Sequence, residues 1–223
     1  MGFPSVFVRL SGCNLMCGGN GTQRDRQLHD GATWRCDTIE VWLKGTQMRF
    51  EEILNKEQTD AIRDGAHLII TGGEPLLHED GVIEFIRWVR DNINPDVFVE
   101  IETNGTKIPS PELINLGVLF NCSPKLSNSG MPSDRRIIPD AIKAINRANS
   151  IFKFVVSKPS DVEEILSDYH SMIDPGKIWI MPAGENQILL NLSKPICAYI
   201  AKQHRWKLST RMHIEIWNQK TGV

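Results

Sequence analysis

No apolar run in this chain of 223 residues approaches the roughly 18 that a bilayer-crossing helix requires, which sets an integral membrane protein aside. Charge of one sign is also lacking. Lys and Arg number 25 against 27 Asp and Glu, a net charge of -2, so no broad phosphate-tracking surface is expected and nucleic acid is not an expected partner. The opening residues, MGFPSVFVRL, lack a charged segment followed by an apolar stretch and a small-residue cleavage site, and Val6 stands where a myristoylation signal needs Ser or Thr. There is no low-complexity linker and no repeat of fixed period to divide the chain. The five cysteines are odd in number and unevenly spaced, which does not suit a disulfide framework. These absences predict a cytoplasmic protein with a single domain over residues 1–223, of ordinary composition at 41% hydrophobic and 23% charged.

What is present is an alternation of β-rich apolar runs with runs of helical period. Strands are expected at residues 5–10, 67–71, 97–102, 118–123, 152–156, 178–181 and 206–209, and amphipathic helices at 50–64, 81–91 and 139–148. That order predicts an α/β fold of parallel strands with right-handed crossovers, either a doubly wound sheet or a barrel-like one. The residues with chemical potential fall just beyond strand ends: Cys13 after the first, 72–75 after the second, 103–105 after the third, 123–125 after the fourth and 181–184 after the sixth. Each alone reads as a turn. Five on one rim lie where parallel α/β folds and barrels build their sites.

Cys13 and Cys17 are three residues apart in SGCNLMC, and Cys36 follows beyond an 18-residue spacer in TWRCDT. Thiolates are soft ligands for iron–sulfur clusters or zinc. Three clustered cysteines with two distant ones, Cys122 and Cys197, suggest a centre with one coordination position open, as a catalytic metal needs. Spacing leaves two alternatives standing: a Cys3His zinc site completed by His29, and unliganded thiols.

The segments PSVFVRLSGCNLMC and CDT, followed by TGGEP, ETNG, SPK and a terminal LSTRMHIEIWNQKTGV, resemble the radical S-adenosylmethionine (SAM) enzymes. More closely, the chain resembles the 7-carboxy-7-deazaguanine synthases, in order from Pro4 to Val223. The resemblance implies an incomplete (β/α)6-type TIM barrel of about six parallel strands. It implies that Cys13, Cys17 and Cys36 hold three irons of a 4Fe-4S cluster whose fourth iron takes the amino and carboxylate groups of SAM. Arg35, Asp37, Gly72, Gly73, Glu74, Glu102, Asn104, Ser123, Pro124, Lys125, Met181, Pro182, Ala183 and Gly184 carry over as cofactor-binding positions. Glu74 is expected to accept from the SAM ammonium and Lys125 to pair with its carboxylate. Arg9 is expected to clamp a substrate carboxylate, with a structural salt bridge as the competing view, and Thr71 to touch substrate. Thr38 is expected to ligate a Mg2+ that also meets the substrate. Arg211 and His213 are expected to close the site near the C-terminus. The implied reaction converts 6-carboxy-5,6,7,8-tetrahydropterin to 7-carboxy-7-deazaguanine with loss of ammonia, in a homodimer served by an electron donor such as a flavodoxin or ferredoxin.

Two departures stand out. The family's usual C-x3-C-x2-C is opened here by residues 18–35, a polar, glycine-rich insert expected to be a plain spacer, with a reductant platform or a lid as alternatives. The family also begins with a substrate-binding segment of the form LQGEG, and this chain starts just after it; an upstream start, or other groups holding the substrate, is expected. Two rivals remain: a glycyl-radical-activating enzyme and a zinc-stabilised binding protein on the same scaffold.

Overall fold

Alternation of buried and half-buried side chains builds the strands. In SIFKFVV, Phe152, Phe154 and Val156 are wholly buried while Ile151, Lys153 and Val155 face the other way. A computed structural model describes residues 2–220; Met1 and residues 221–223, the end of the terminal family-like segment and of the expected single domain, lie outside the described residues. The strands are β1 (Ser5–Leu10), β2 (His67–Gly72), β3 (Val99–Thr103), β4 (Leu119–Cys122), β5 (Ser150–Val156), β6 (Ile178–Pro182) and β7 (Lys207–Leu208). All neighbours pair in parallel, and their order in space is their order in sequence.

That order decides between the two expected architectures. A doubly wound sheet needs a reversal of strand order, and there is none. Right-handed crossovers that always advance in one direction put every helix on one face, and the other face becomes the concave interior of a partial barrel. The helix-side core contains Val8, Leu68, Ile70, Ile101, Phe120, Phe154 and Ile180. The interior carries Phe7, Arg9, Thr71, Glu100, Glu102, Asn121, Lys153 and Trp179, aligned across the ladders from β1 to β6. Among the described residues no ladder joins β1 to β7, so the barrel stays open. All seven strands expected from the residues form, the one expected at 206–209 being only two residues long, which leaves about the six full strands the resemblance implies.

The principal helices are α1 (Lys56–Arg63), α2 (Glu79–Asn92), α3 (Pro139–Arg147), α4 (Gln187–His204) and α5 (Met212–Trp217). The single helix expected over 50–64 is in fact two. A short turn, Phe50–Ile53, ends at extended Leu54, and Asn55 restarts the chain as an N-cap that accepts from Gln58 N at 2.9 Å while Gln58 Oε1 accepts from Asn55 N at 2.9 Å. Helix α4 is hard to read in the sequence because Pro195 lies inside it and its apolar residues point in several directions. Among the described residues no helix is long and apolar enough to cross a membrane.

Asn55→Ala removes this cap, and thermal unfolding of the variant should show a loss of about 1 kcal/mol, with the parallel sheet intact by circular dichroism.

Candidate active site

The chain leaving β1 is pinned on both sides before it reaches the first cysteine. Gly12 N donates to Trp42 O at 2.8 Å, and the Ser11 carbonyl faces His78 Nε2 at 2.8 Å. Beyond the end of β2, Gly73 N donates to Leu10 O at 3.0 Å and Glu74 N to Gly12 O at 2.9 Å. The double glycine rides directly on this backbone. A Cβ at Gly73 would lie 1.8 Å from Gly12 O and 3.0 Å from Cys13 Cβ, while one at Gly72, whose φ is +128°, would lie 2.1 Å from Leu10 O. The open backbone expected to line SAM thus has a prior use, the close docking of the TGGEP turn against the strand that delivers Cys13.

The insert, expected to be a spacer, is folded and docked. Its two ends meet where Cys36 N donates to Cys17 O at 3.1 Å, which returns the third thiol to the first two. Between them the segment folds on itself through His29 N to Gly18 O at 2.8 Å and Asn20 N to Asp30 Oδ2 at 2.7 Å. It docks on the turn Ser127–Ser129 through Gly18 N to Ser129 O, Thr33 N to Asn128 O and Trp34 Nε1 to Asn128 Oδ1, each at 2.9 Å. Arg35, expected at the cofactor, reaches Thr22 Oγ1 within the insert at 3.2 Å and pairs with Glu40, beyond Cys36, at 2.7 Å.

All five cysteines are free thiols. Burial is the main force on Cys17 and pushes it up to about 12; burial also raises Cys13, with the negative charges of Glu74 and Cys36 adding to it. The positive charge of Lys125 opposes the rise at both sulfurs. The thiols suit a cubane, in which each takes a different iron and the sulfurs need not meet at one point. A single zinc ion fits less well. Among the described residues no three Cys, His, Asp or Glu side chains converge as its ligands, and His29 is already engaged with Asp25 Oδ2 at 2.8 Å.

Behind the cysteines lies a buried polar scaffold. Glu74 is wholly buried and accepts from Asn104 N at 2.7 Å, Thr103 Oγ1 at 2.8 Å and Leu76 N at 3.1 Å. The carboxylate ties the TGGEP turn to the ETNG turn, and with three donors on its two oxygens it keeps acceptor capacity at Oε2, which takes the Asn104 bond alone. Burial raises its pKa, against the lowering by these bonds. Asn104 Nδ2 donates to Asn14 Oδ1 at 3.0 Å, and Asn14 Nδ2 donates to Thr106 Oγ1 at 2.7 Å, so the cysteine loop is braced from β3. Asn14 and Thr106 escaped sequence reasoning; only the place of Asn14 between two cysteines hints at it.

On the interior face Thr71 Oγ1 donates to Glu102 Oε2 at 2.7 Å. Arg9 is exposed, lies 5.5 Å from the Phe7 ring, and forms no ion pair among the described residues, so the structural salt bridge is not what holds it. The C-terminal segment comes back to this corner: Arg211 Nη2 pairs with Asp37 Oδ2 at 2.8 Å. Partial desolvation, then Arg211 and Arg9, hold His213 below the usual histidine range. Thr38 Oγ1 lies 3.3 Å from Cys36 Sγ, and Lys125 Nζ donates to Ser123 Oγ at 3.1 Å, one residue either side of buried Pro124. The turn Met181, Pro182, Ala183, Gly184 is held by Ala183 N to Val156 O at 2.9 Å and packs on α4, where a Cβ at Gly184 would meet Leu190 N at 2.5 Å.

A family described as a 4Fe-4S single cluster domain matches residues 4–108, a span that contains all three clustered cysteines. The 7-carboxy-7-deazaguanine synthase of Pyrobaculum aerophilum is 30% identical over 225 residues, covering 100% of this chain and 90% of that protein. The synthase of the same name from Halobacterium salinarum is 30% identical, covering 97% of this chain and 84% of the other. Among solved structures, native anSMEcpe with bound AdoMet and Cp18Cys peptide matches 94% of this chain with a TM-score of 0.52 at 15% identity. The chain spans 64% of that protein, less than two thirds of it, and the likeness is one of fold.

Gly73→Ala should lower the iron bound after anaerobic reconstitution by at least half while the far-ultraviolet spectrum stays unchanged, because its methyl collides with the backbone beside Cys13. Thiols whose pKa is raised by burial are protonated at neutral pH, so loading them with metal releases protons. Iron incorporation should therefore rise between pH 6.5 and 8.5, read by iron and sulfide analysis.

Proposed function

The chain belongs to the 7-carboxy-7-deazaguanine synthase family of radical SAM enzymes, and on that premise we propose that it converts 6-carboxy-5,6,7,8-tetrahydropterin to 7-carboxy-7-deazaguanine with loss of ammonia. The observation that carries this reading is the hydrogen bond from Cys36 N to Cys17 O, which closes the insert and leaves three thiols on one loop. When bound, a reduced 4Fe-4S cluster and SAM supply the one-electron chemistry that removes a hydrogen atom from the substrate. The protein's part is to hold, aim and shield.

Cys13, Cys17 and Cys36 hold the cluster, and the docked double glycine fixes the loop that presents them. Lys125 receives the SAM carboxylate. Arg9, with no carboxylate paired to it among the described residues, takes the substrate carboxylate in a bidentate grip, while Arg211, paired with Asp37, and a His213 kept neutral by partial burial and the two arginines lie nearby. Thr71 and Glu102, already hydrogen-bonded to each other, offer the pterin ring an acceptor for its N–H groups. Thr38 is the Mg2+ ligand in this proposal, with substrate oxygens and waters completing the shell. A homodimer is also part of it: α4 exposes Ile188, Leu192 and Tyr199 along one side, an apolar area that a second copy would cover. The reductant is a flavodoxin or ferredoxin.

Reconstituted protein incubated with SAM, a reductant, Mg2+ and the carboxypterin should form the deazaguanine acid; SAM cleavage with no such product overturns the substrate. Cys17→Ala should abolish SAM cleavage, whereas Cys197→Ala, at a wholly buried thiol beside Val156 O, should retain it. Arg9→Ala should leave SAM binding intact and lower kcat/KM for the pterin about 100-fold, the loss expected for a charge-assisted pair.

A further inference from the structure

We propose that Trp34, carried by the insert, is a positioning residue for Lys125: its ring holds the ammonium in place and keeps it available for the carboxylate of SAM. The proposal rests on the reading of Lys125 as a SAM contact. The Lys125 Nζ lies 5.8 Å from the Trp34 ring centroid and 3.1 Å from Ser123 Oγ, and among the described residues no carboxylate pairs with it. A ring face attracts a cation without neutralising it. An Asp or Glu in the same place would hold the lysine as firmly and would compete with an incoming carboxylate.

Both partners are fixed from behind. Trp34 Nε1 donates to Asn128 Oδ1 at 2.9 Å, and Asn128, 3% exposed, donates in turn to Asp161 Oδ2 at 3.1 Å. Asp161 Oδ2 also accepts from Ser157 N at 2.7 Å and Lys158 N at 3.1 Å, so the indole is anchored to the end of β5. On the lysine side, its carbonyl accepts from Tyr169 OH at 2.8 Å and Arg136 Nη1 at 3.3 Å, and the buried Arg136 is paired with Glu164 at 2.8 Å. The indole and the Lys125 backbone are thereby both held by the segment around residues 125–128, and the ring-to-ammonium contact spans the gap between the two side chains. Trp34 is the insert residue that faces this gap, while its neighbour Arg35 turns away to Glu40.

The test is a double-mutant cycle on SAM affinity, measured by equilibrium dialysis on reconstituted protein with matched iron content. Trp34→Leu should weaken SAM about 5- to 20-fold, Trp34→Phe should restore most of that, and Lys125→Met should weaken it further. On the Lys125→Met background, Trp34→Leu should add nothing. Fully additive losses, no effect of Lys125→Met, or a Trp34→Phe variant as weak as Trp34→Leu would overturn the proposal. A second readout needs no cofactor. In the cluster-free chain, the indole N–H resonance of Trp34, identified among the six tryptophans by Trp34→Phe, should shift on Lys125→Met. An unmoved resonance overturns the contact itself, and wild-type protein that binds iron but no SAM defeats the underlying cofactor reading instead.

Discussion

The site depends on one close approach of two backbones. Where β1 and β2 end, their chains continue side by side through Leu10 to Gly12 and Gly72 to Glu74, and only glycine permits the spacing. The strand that delivers the cysteines and the strand that delivers the TGGEP turn thereby become one rigid unit. Glu74 passes the constraint on to β3 through Thr103 and Asn104, and Asn104 passes it back to the cysteine loop through Asn14. A small circuit of hydrogen bonds, most of it buried, therefore fixes the floor on which the cofactor is expected to rest. Burying a carboxylate in it costs stability, which the three donors offset in part.

Much of this was legible in the residues. The strands follow β-branched and aromatic runs, and β1 is read to the residue because Val6 and Val8 alternate with exposed neighbours and Ser11 and Gly12 follow. The cysteine trio was legible from spacing together with its flanking motifs. What stayed hidden is the direction of polar side chains. Glu74 and Arg35 occupy positions that read as cofactor contacts, and each also has protein partners that linear order does not display, Thr103 and Asn104 for the one and Glu40 for the other. Asn55 shows the same limit on a local scale. An apolar period runs through 50–64, and a side-chain cap at Asn55 interrupts it.

Charge tells a similar story at two scales. The whole chain is nearly neutral, with a net charge of -2, but Arg9 and Lys125 carry cations with no carboxylate paired to them among the described residues, while Arg211 is paired with Asp37. Unpaired cations attract anions locally even where the chain as a whole is nearly neutral.

Because the two ends of the insert are stitched together by a single backbone bond, the contour length between them is almost a free variable. Closing a loop of 18 residues in place of two costs only about 2 kcal/mol of chain entropy. The barrel is indifferent to how far the chain wanders between its second and third thiols, provided it comes home. Such a position works as a port: the scaffold can accept a different passenger there without being rebuilt, and in this chain the passenger is a tryptophan.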